Sequence, residues 1–90
     1  MPDEKLARAI RSKIRRKMLL LLCEKDKIPV HDIAKSLNIT ESSSSKHLKL
    51  LYDLGLLGFS DVANEKFYFL KVKEIKNFLE VYDDITRKIR

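Results

Sequence analysis

The chain has 90 residues, 44% hydrophobic and 36% charged; that composition supports one small domain with a modest core and excludes a multi-domain enzyme. Its 19 basic and 13 acidic side chains give a net charge of +6. Residues 1–50 hold 12 basic and 6 acidic groups and residues 51–90 hold 7 of each, so the whole excess lies in the first half, as suits a surface facing phosphate or lipid.

The single Cys23 leaves no intrachain disulfide and no multi-cysteine zinc site, and at the end of an apolar run it reads as a small buried hydrophobe. Met18–Leu22 is only five apolar residues. A membrane span needs about 20, and no signal-cleavage pattern follows, so a cytoplasmic protein without membrane contact is expected.

Residues 3–24 read as one helix, because Leu6, Ile10, Ile14, Met18, Leu21 and Leu22 recur at helical spacing with no Pro or Gly between them. Asp3 and Glu4 suit its start, and Arg8, Arg11, Arg15 and Arg16 lie on its remaining surface. Ile28–Pro29 is extended, with room for a very short strand near 27–29. A short helix over 30–37 turns Ile33, Ala34 and Leu37 inward. Asn38 then tolerates the left-handed conformation of a tight turn, and Thr40 is the N-cap of a helix over 41–54 that Gly55 ends.

From Leu57 the period becomes strand-like, and residues 57–70 read as a hairpin with the four-residue loop Ala63–Asn64–Glu65–Lys66. The last helix, 72–89, carries Ile75, Phe78, Tyr82, Ile85 and Ile89 at alternating three- and four-residue steps. The expected fold is mainly α with a β-hairpin wing: a winged helix-turn-helix in the order α-α-α-β-β-α, one domain over 1–90. Its helix-turn-helix is 30–54 and its wing 57–70.

The helix over 41–54 opens with Glu41, Ser42, Ser43, Ser44, Ser45, Lys46 and His47. Four serines are poor helix formers, and that cost points to a contact surface. A helix with this face can enter a DNA major groove, about 12 Å wide, with hydroxyls and Lys46 reaching base edges or phosphates. The competing reading is that the serines only solvate the helix start. Lys49 shares the exposed side with Lys46. His47 fits two roles equally, a phosphate donor or a half-buried brace between this helix and the wing.

Here the sequence resembles the arsenic-repressor-like (ArsR-type) winged-helix transcriptional regulators. Leu37, Ile39, Thr40, Ser42, Ser43, Ser45, Lys46, His47, Leu48, Leu51, Gly55, Leu56 and Leu57 fall in register on the family's helix-turn-helix pattern. The hairpin matches its wing and both terminal helices its dimerisation elements. Two departures concern the backbone. Asn38 replaces the usual turn glycine, and Ser44 stands where a buried Val is usual, so the site is either wetter or rotated. A third concerns sensing. Metal-sensing members carry a cysteine pair before the reading helix, or carboxylate and histidine ligands on the last helix. Here the preceding helix offers His31, Asp32, Lys35 and Ser36, and the last offers Glu74, Glu80, Asp83 and Asp84 without a histidine. No metal site or cofactor is carried over.

The resemblance implies a dimeric, sequence-specific double-stranded-DNA-binding regulator, a repressor, with no effector specified. Thr40, Ser42, Ser43, Ser45, Lys46, His47 and Lys49 are the candidate contacts on the reading helix. Asn64 and Lys66 are those on the wing, whose tip is otherwise acidic at Asp61 and Glu65. Arg11 and Arg15 are candidates for outer phosphates, against the alternative of a solvated helix face. Leu6, Ile10 and Ile14 with Ile75, Phe78, Tyr82, Ile85 and Ile89 form the expected homodimer interface.

The other classes considered are a winged-helix protein-interaction module and a non-specific or architectural DNA-binding protein. No nucleophile is paired with a base and no glycine-rich phosphate loop exists, so an enzyme is not expected. The Lys- and Ile-rich, glycine-poor composition suits a thermophilic archaeon or one of its viruses.

Overall fold

The computed structural model describes residues 2–89; Met1 and Arg90, the ends of the expected 1–90 domain, lie outside them. Five helices and three strands follow in the order α1 (Pro2–Arg11), α2 (Lys13–Glu24), β1 (Ile28–Pro29), α3 (Val30–Leu37), α4 (Glu41–Asp53), β2 (Leu57–Val62), β3 (Glu65–Leu70) and α5 (Ile75–Lys88). This is a mainly helical winged helix-turn-helix, as the sequence leads one to expect, with one correction to the order.

The single helix over 3–24 is two helices. The break falls at Ser12, extended at φ −87°, ψ 128°, whose hydroxyl accepts from the Arg15 N–H at 3.3 Å and so caps α2. The orphan carbonyls at the end of α1 are satisfied from the side. Arg15 donates to the carbonyls of Arg8 (2.6 and 3.1 Å) and Ala9 (3.3 Å), and Arg16 to those of Ile10 and of Arg11 (3.2 Å). Two arginines of the second helix thus cap the first, which is why a stretch without Pro or Gly bends.

The very short strand expected near 27–29 is present as β1. Ile28 pairs with Tyr68 and Pro29 with Phe67, completing a three-stranded antiparallel sheet in the order β1-β3-β2. Pro29, which lacks an N–H, is tolerated because β1 is an edge.

The hairpin is tighter than the expected four-residue loop. Val62 pairs with Glu65, and only Ala63 (φ 51°) and Asn64 (φ 68°) form the turn. Both positive φ values match the twist of the strands, although alanine there costs about 1 kcal/mol. The last helix is also shorter than 72–89, beginning at Ile75.

One continuous core joins these elements. Met18, Leu19 and Leu22 of α2 meet Ile33 of α3, Leu48 and Leu51 of α4, Leu57, Tyr68 and Leu70 of the sheet, and Ile75 and Leu79 of α5. No described helix is long and apolar enough to cross a membrane.

Candidate nucleic-acid interface

Three backbone devices aim α4. Asn38 adopts the left-handed conformation (φ 56°, ψ 47°), and Ile39 N–H reaches back to the Ala34 carbonyl at 3.0 Å, ending α3. Two residues later, the Thr40 hydroxyl accepts from the Ser43 N–H at 3.0 Å and starts α4. At the far end Gly55 takes φ 91°, with Gly55 N–H on the Tyr52 carbonyl (3.0 Å) and Leu56 N–H on that of Leu51 (3.1 Å). That pair of bonds is a Schellman closure, and it needs a residue without a Cβ penalty at its centre.

Between these caps the helix has two faces. Ser44, Leu48 and Leu51 are fully buried, whereas Ser42, Ser45, Lys46 and Lys49 are exposed at helical spacing on the other side. Ser43 is half-buried and its N–H is held by Thr40, so the exposed hydroxyls are those of Ser42 and Ser45. Thr40 has its hydroxyl committed to the cap. Lys49 leans on Asp53 at 3.2 Å, an exposed pair that screens easily.

Ser44 occupies the core slot, and among the described residues its Oγ has no hydrogen-bond partner. Of the two expectations for this site, the rotated helix does not describe it: α4 keeps its register, with Ser44 buried on the same face as Leu48 and Leu51.

His47 is half-buried and meets Arg15 of α2. Its Nδ1 lies 3.3 Å from Nη1 of Arg15. Arginine has no lone pair to offer, so Nδ1 accepts and the imidazole is neutral in this contact. Burial, and after it the Arg15 charge, pulls the His47 imidazole below the ordinary histidine range. Arg15 therefore ties the end of α1 to the reading helix, and its guanidinium is engaged inside the fold rather than turned to solvent. Arg11 is exposed at the end of α1. On the wing, Asn64 is exposed at the turn, and Lys66 folds back with Nζ 4.7 Å above the Phe59 ring.

Of the expected interface residues, Ile75 is buried in this chain's own core at 4% exposure and so leaves the seam; Leu6, Ile10 and Ile14 are partly buried against the same core. The α5 surface instead exposes Phe78 (38%), Val81 (50%), Ile85 (51%) and Ile89 (76%). Val81 was missed because it breaks the alternating steps read from Ile75; counted from Phe78 it falls in phase. Tyr82 packs beside Phe78 (centroids 6.3 Å apart) and under the Arg16 guanidinium, 5.1 Å from its ring.

Also missed was an aromatic row between α4 and the wing. Tyr52 and Phe59 have centroids 5.1 Å apart, and Phe59 and Tyr68 5.8 Å. Tyr52 follows Lys49 by three residues on one helix face, which was the available signal. Among the described residues no group of three or more His, Cys, Asp or Glu side chains is placed to hold a metal ion.

Residues 12–57, half of the chain, match the model of the bacterial regulatory protein, arsR family. Solved structures agree over nearly the whole length. HlyU from Vibrio cholerae N16961 is 25% identical, with a TM-score of 0.80 over 93% of this chain and 90% of that one. The homodimeric winged helix-turn-helix DNA-binding domain of Mb0332 from Mycobacterium bovis is 16% identical, with a TM-score of 0.82 over 97% and 80%. The AntR antimony-specific transcriptional repressor is 19% identical, with a TM-score of 0.80 over 93% and 76%; these last two share the fold. The structural relatives are transcriptional regulators, not enzymes. With its helix-turn-helix, wing and terminal helices in place and no metal-binding cysteine cluster, the chain belongs to the arsR family of bacterial regulatory proteins.

Proposed function

We propose that this chain is a dimeric, sequence-specific double-stranded-DNA-binding regulator that represses by occupying its operator. The observation that carries this reading is the exposed row Ser42, Ser45, Lys46 and Lys49 on a helix whose opposite face is locked into the core. Short hydroxyls let the helix axis approach base edges closely, and Lys46 at their centre supplies a long donor. Lys49, Arg11 and Asn64 are assigned to phosphates and set position rather than sequence. Arg15 and Thr40 are assigned to positioning, through the α1 carbonyls and the α4 cap. Repression is supported by the AntR likeness, and a two-fold dimer by the homodimeric Mb0332 domain and by the uncovered apolar stripe of α5.

The test is selection from a randomised duplex pool at two salt concentrations, followed by sequencing of the bound fraction. An enriched inverted repeat with half-sites about 34–36 Å apart is the expected result. Binding that collapses with salt and enriches no site would mark an architectural protein. Absence of binding would favour a protein-interaction module.

A further inference from the structure

Beside the Tyr52–Phe59 contact the reading helix and the wing leave space between them. A cleft of about 330 Å³ lies between them, with Ser45, Lys49 and Tyr52 on the α4 side and Phe59, Lys66 and Tyr68 on the hairpin side. The volume is at the low end of small-molecule sites, enough for one ring and a polar group. Its aromatic row presents Tyr52, 43% exposed, beside the half-buried Phe59. Tyr68 is only 5% exposed, yet it forms part of the cleft wall and makes no side-chain hydrogen bond among the described residues. Burial raises the Tyr68 phenol above its ordinary value, with Lys49 opposing; the hydroxyl keeps its proton and is available as a donor.

The charge of the lining narrows the ligand further. Lys49 and Lys66 are set against Asp53, which also lines the cleft, so one net positive charge remains. That balance fits a monoanion. A bare phosphate of a DNA backbone requires no aromatic wall and no deep donor, whereas this cleft has both.

We propose that the cleft binds a small aromatic carboxylate, its ring against Tyr52 and Phe59 and its carboxylate between Lys49, Lys66 and the Tyr68 hydroxyl. Because Ser45 and Lys49 belong to the DNA-facing row, an occupied cleft competes with the operator and the acid acts as an inducer. This competition rests on the proposed function; binding of the acid does not.

Benzoate is the probe, added to isotope-labelled protein without DNA and followed by amide chemical shifts. The expected result is saturable change confined to the strands and helix face around Ser45, Tyr52, Phe59 and Tyr68, with a Kd of about 0.1–1 mM for so small a ligand. Tyr68→Phe keeps the ring and removes the donor, and it weakens benzoate roughly tenfold. Lys66→Gln, on the exposed rim, weakens it roughly fivefold. Equal shifts from acetate, which would mark a plain anion seat, overturn the proposal. So do equal shifts from benzyl alcohol, which would mark a greasy surface, and so does the absence of shifts. The selected duplex is then titrated with and without benzoate, and saturating acid is expected to raise its apparent Kd. Duplex binding that ignores benzoate overturns the inducer role and leaves the regulator standing. Benzoate binding by a protein that binds no duplex upholds the site and overturns the regulator.

Discussion

From Val30 to Gly55 every change of direction is made by a residue acting on its immediate neighbours. Asn38 turns left-handed, Thr40 caps three residues ahead, and Gly55 closes on Tyr52 and Leu51. In the flanking helices the same work is done from a distance. Arg15 and Arg16 reach back to carbonyls of Arg8, Ala9, Ile10 and Arg11, then on to His47 in one direction and Tyr82 in the other. The helix-turn-helix is thus a locally encoded unit; α2 and α5 share its core through Met18, Leu19, Leu22, Ile75 and Leu79, and the end of α1 is tied to it by the long side chains of Arg15 and Arg16. This division suits a regulator: the reading helix keeps a fixed aim, while the end of α1 is coupled to it through a few replaceable contacts.

The largest effect is expected where the flanking helices are assigned to pair with a second copy. Val81→Glu with Ile85→Glu places charge on two positions half-exposed in this chain, so the fold should survive while the dimer does not. Sedimentation should then report a monomer, and affinity for an inverted-repeat duplex should fall by at least about 100-fold, since the two half-sites are no longer engaged together. A double variant that stays dimeric would place the interface elsewhere.

Arg15→Ala tests the long-range side directly. It removes the donors to Arg8 and Ala9 and the contact to His47, and should cost about 1–2 kcal/mol in urea unfolding, the worth of one or two net hydrogen bonds. Arg11→Ala, exposed on α1, should stay within about 0.5 kcal/mol and instead weaken DNA binding. If the two variants exchanged these effects, Arg15 would be a phosphate contact and the clamp incidental.

The same division explains what the sequence disclosed. The helix-turn-helix was legible almost to the residue, because Asn38, Thr40 and Gly55 announce their roles by type and spacing. The break at Ser12 was not, because periodicity from Leu6 through Ile14 runs across it and the compensating caps come from arginines that look like a solvated face. Ile75 was misassigned, and Val81 passed over, for a related reason. A stripe of apolar residues shows that a helix has an inner and an outer contact, but only the packing of Ile75 and Leu79 into the core tells which is which. In the interface, Lys46, Lys49 and the serines could be read in order, whereas the meeting of Tyr52 with Phe59 and Tyr68 depends on how the hairpin folds back.

Ser44 is a flaw inside the locally encoded unit. A buried hydroxyl without a partner costs about 1–3 kcal/mol relative to a satisfied or absent one, and the Oγ here has no partner among the described residues. Ser44→Ala should therefore raise stability by about 1 kcal/mol, read as a higher urea midpoint at unchanged slope. A loss of stability would mean that the hydroxyl bonds back to the helix, and the local encoding would be complete at this position too.

His47 is where the two regions meet, and its titration gives the smallest and most pointed test. The imidazole is held below its ordinary value by burial and by Arg15, so as pH falls the unfolded chain takes up the proton first. The stability due to neutral His47 is complete above the unfolded value of about 6.5, declines below it, and stops declining once the folded imidazole is itself protonated. Protonation also removes the Nδ1 lone pair that accepts from Arg15 and sets two cations side by side. Urea unfolding at pH 7.5 and pH 5.0 should then show wild type losing more stability than His47→Gln, which keeps an acceptor and does not titrate. The difference should be less than about 1 kcal/mol, the worth of one hydrogen bond. Equal losses would mean that Arg15 holds α1 without holding α4, and the reading helix would owe its aim to its caps and to the buried Leu48 and Leu51.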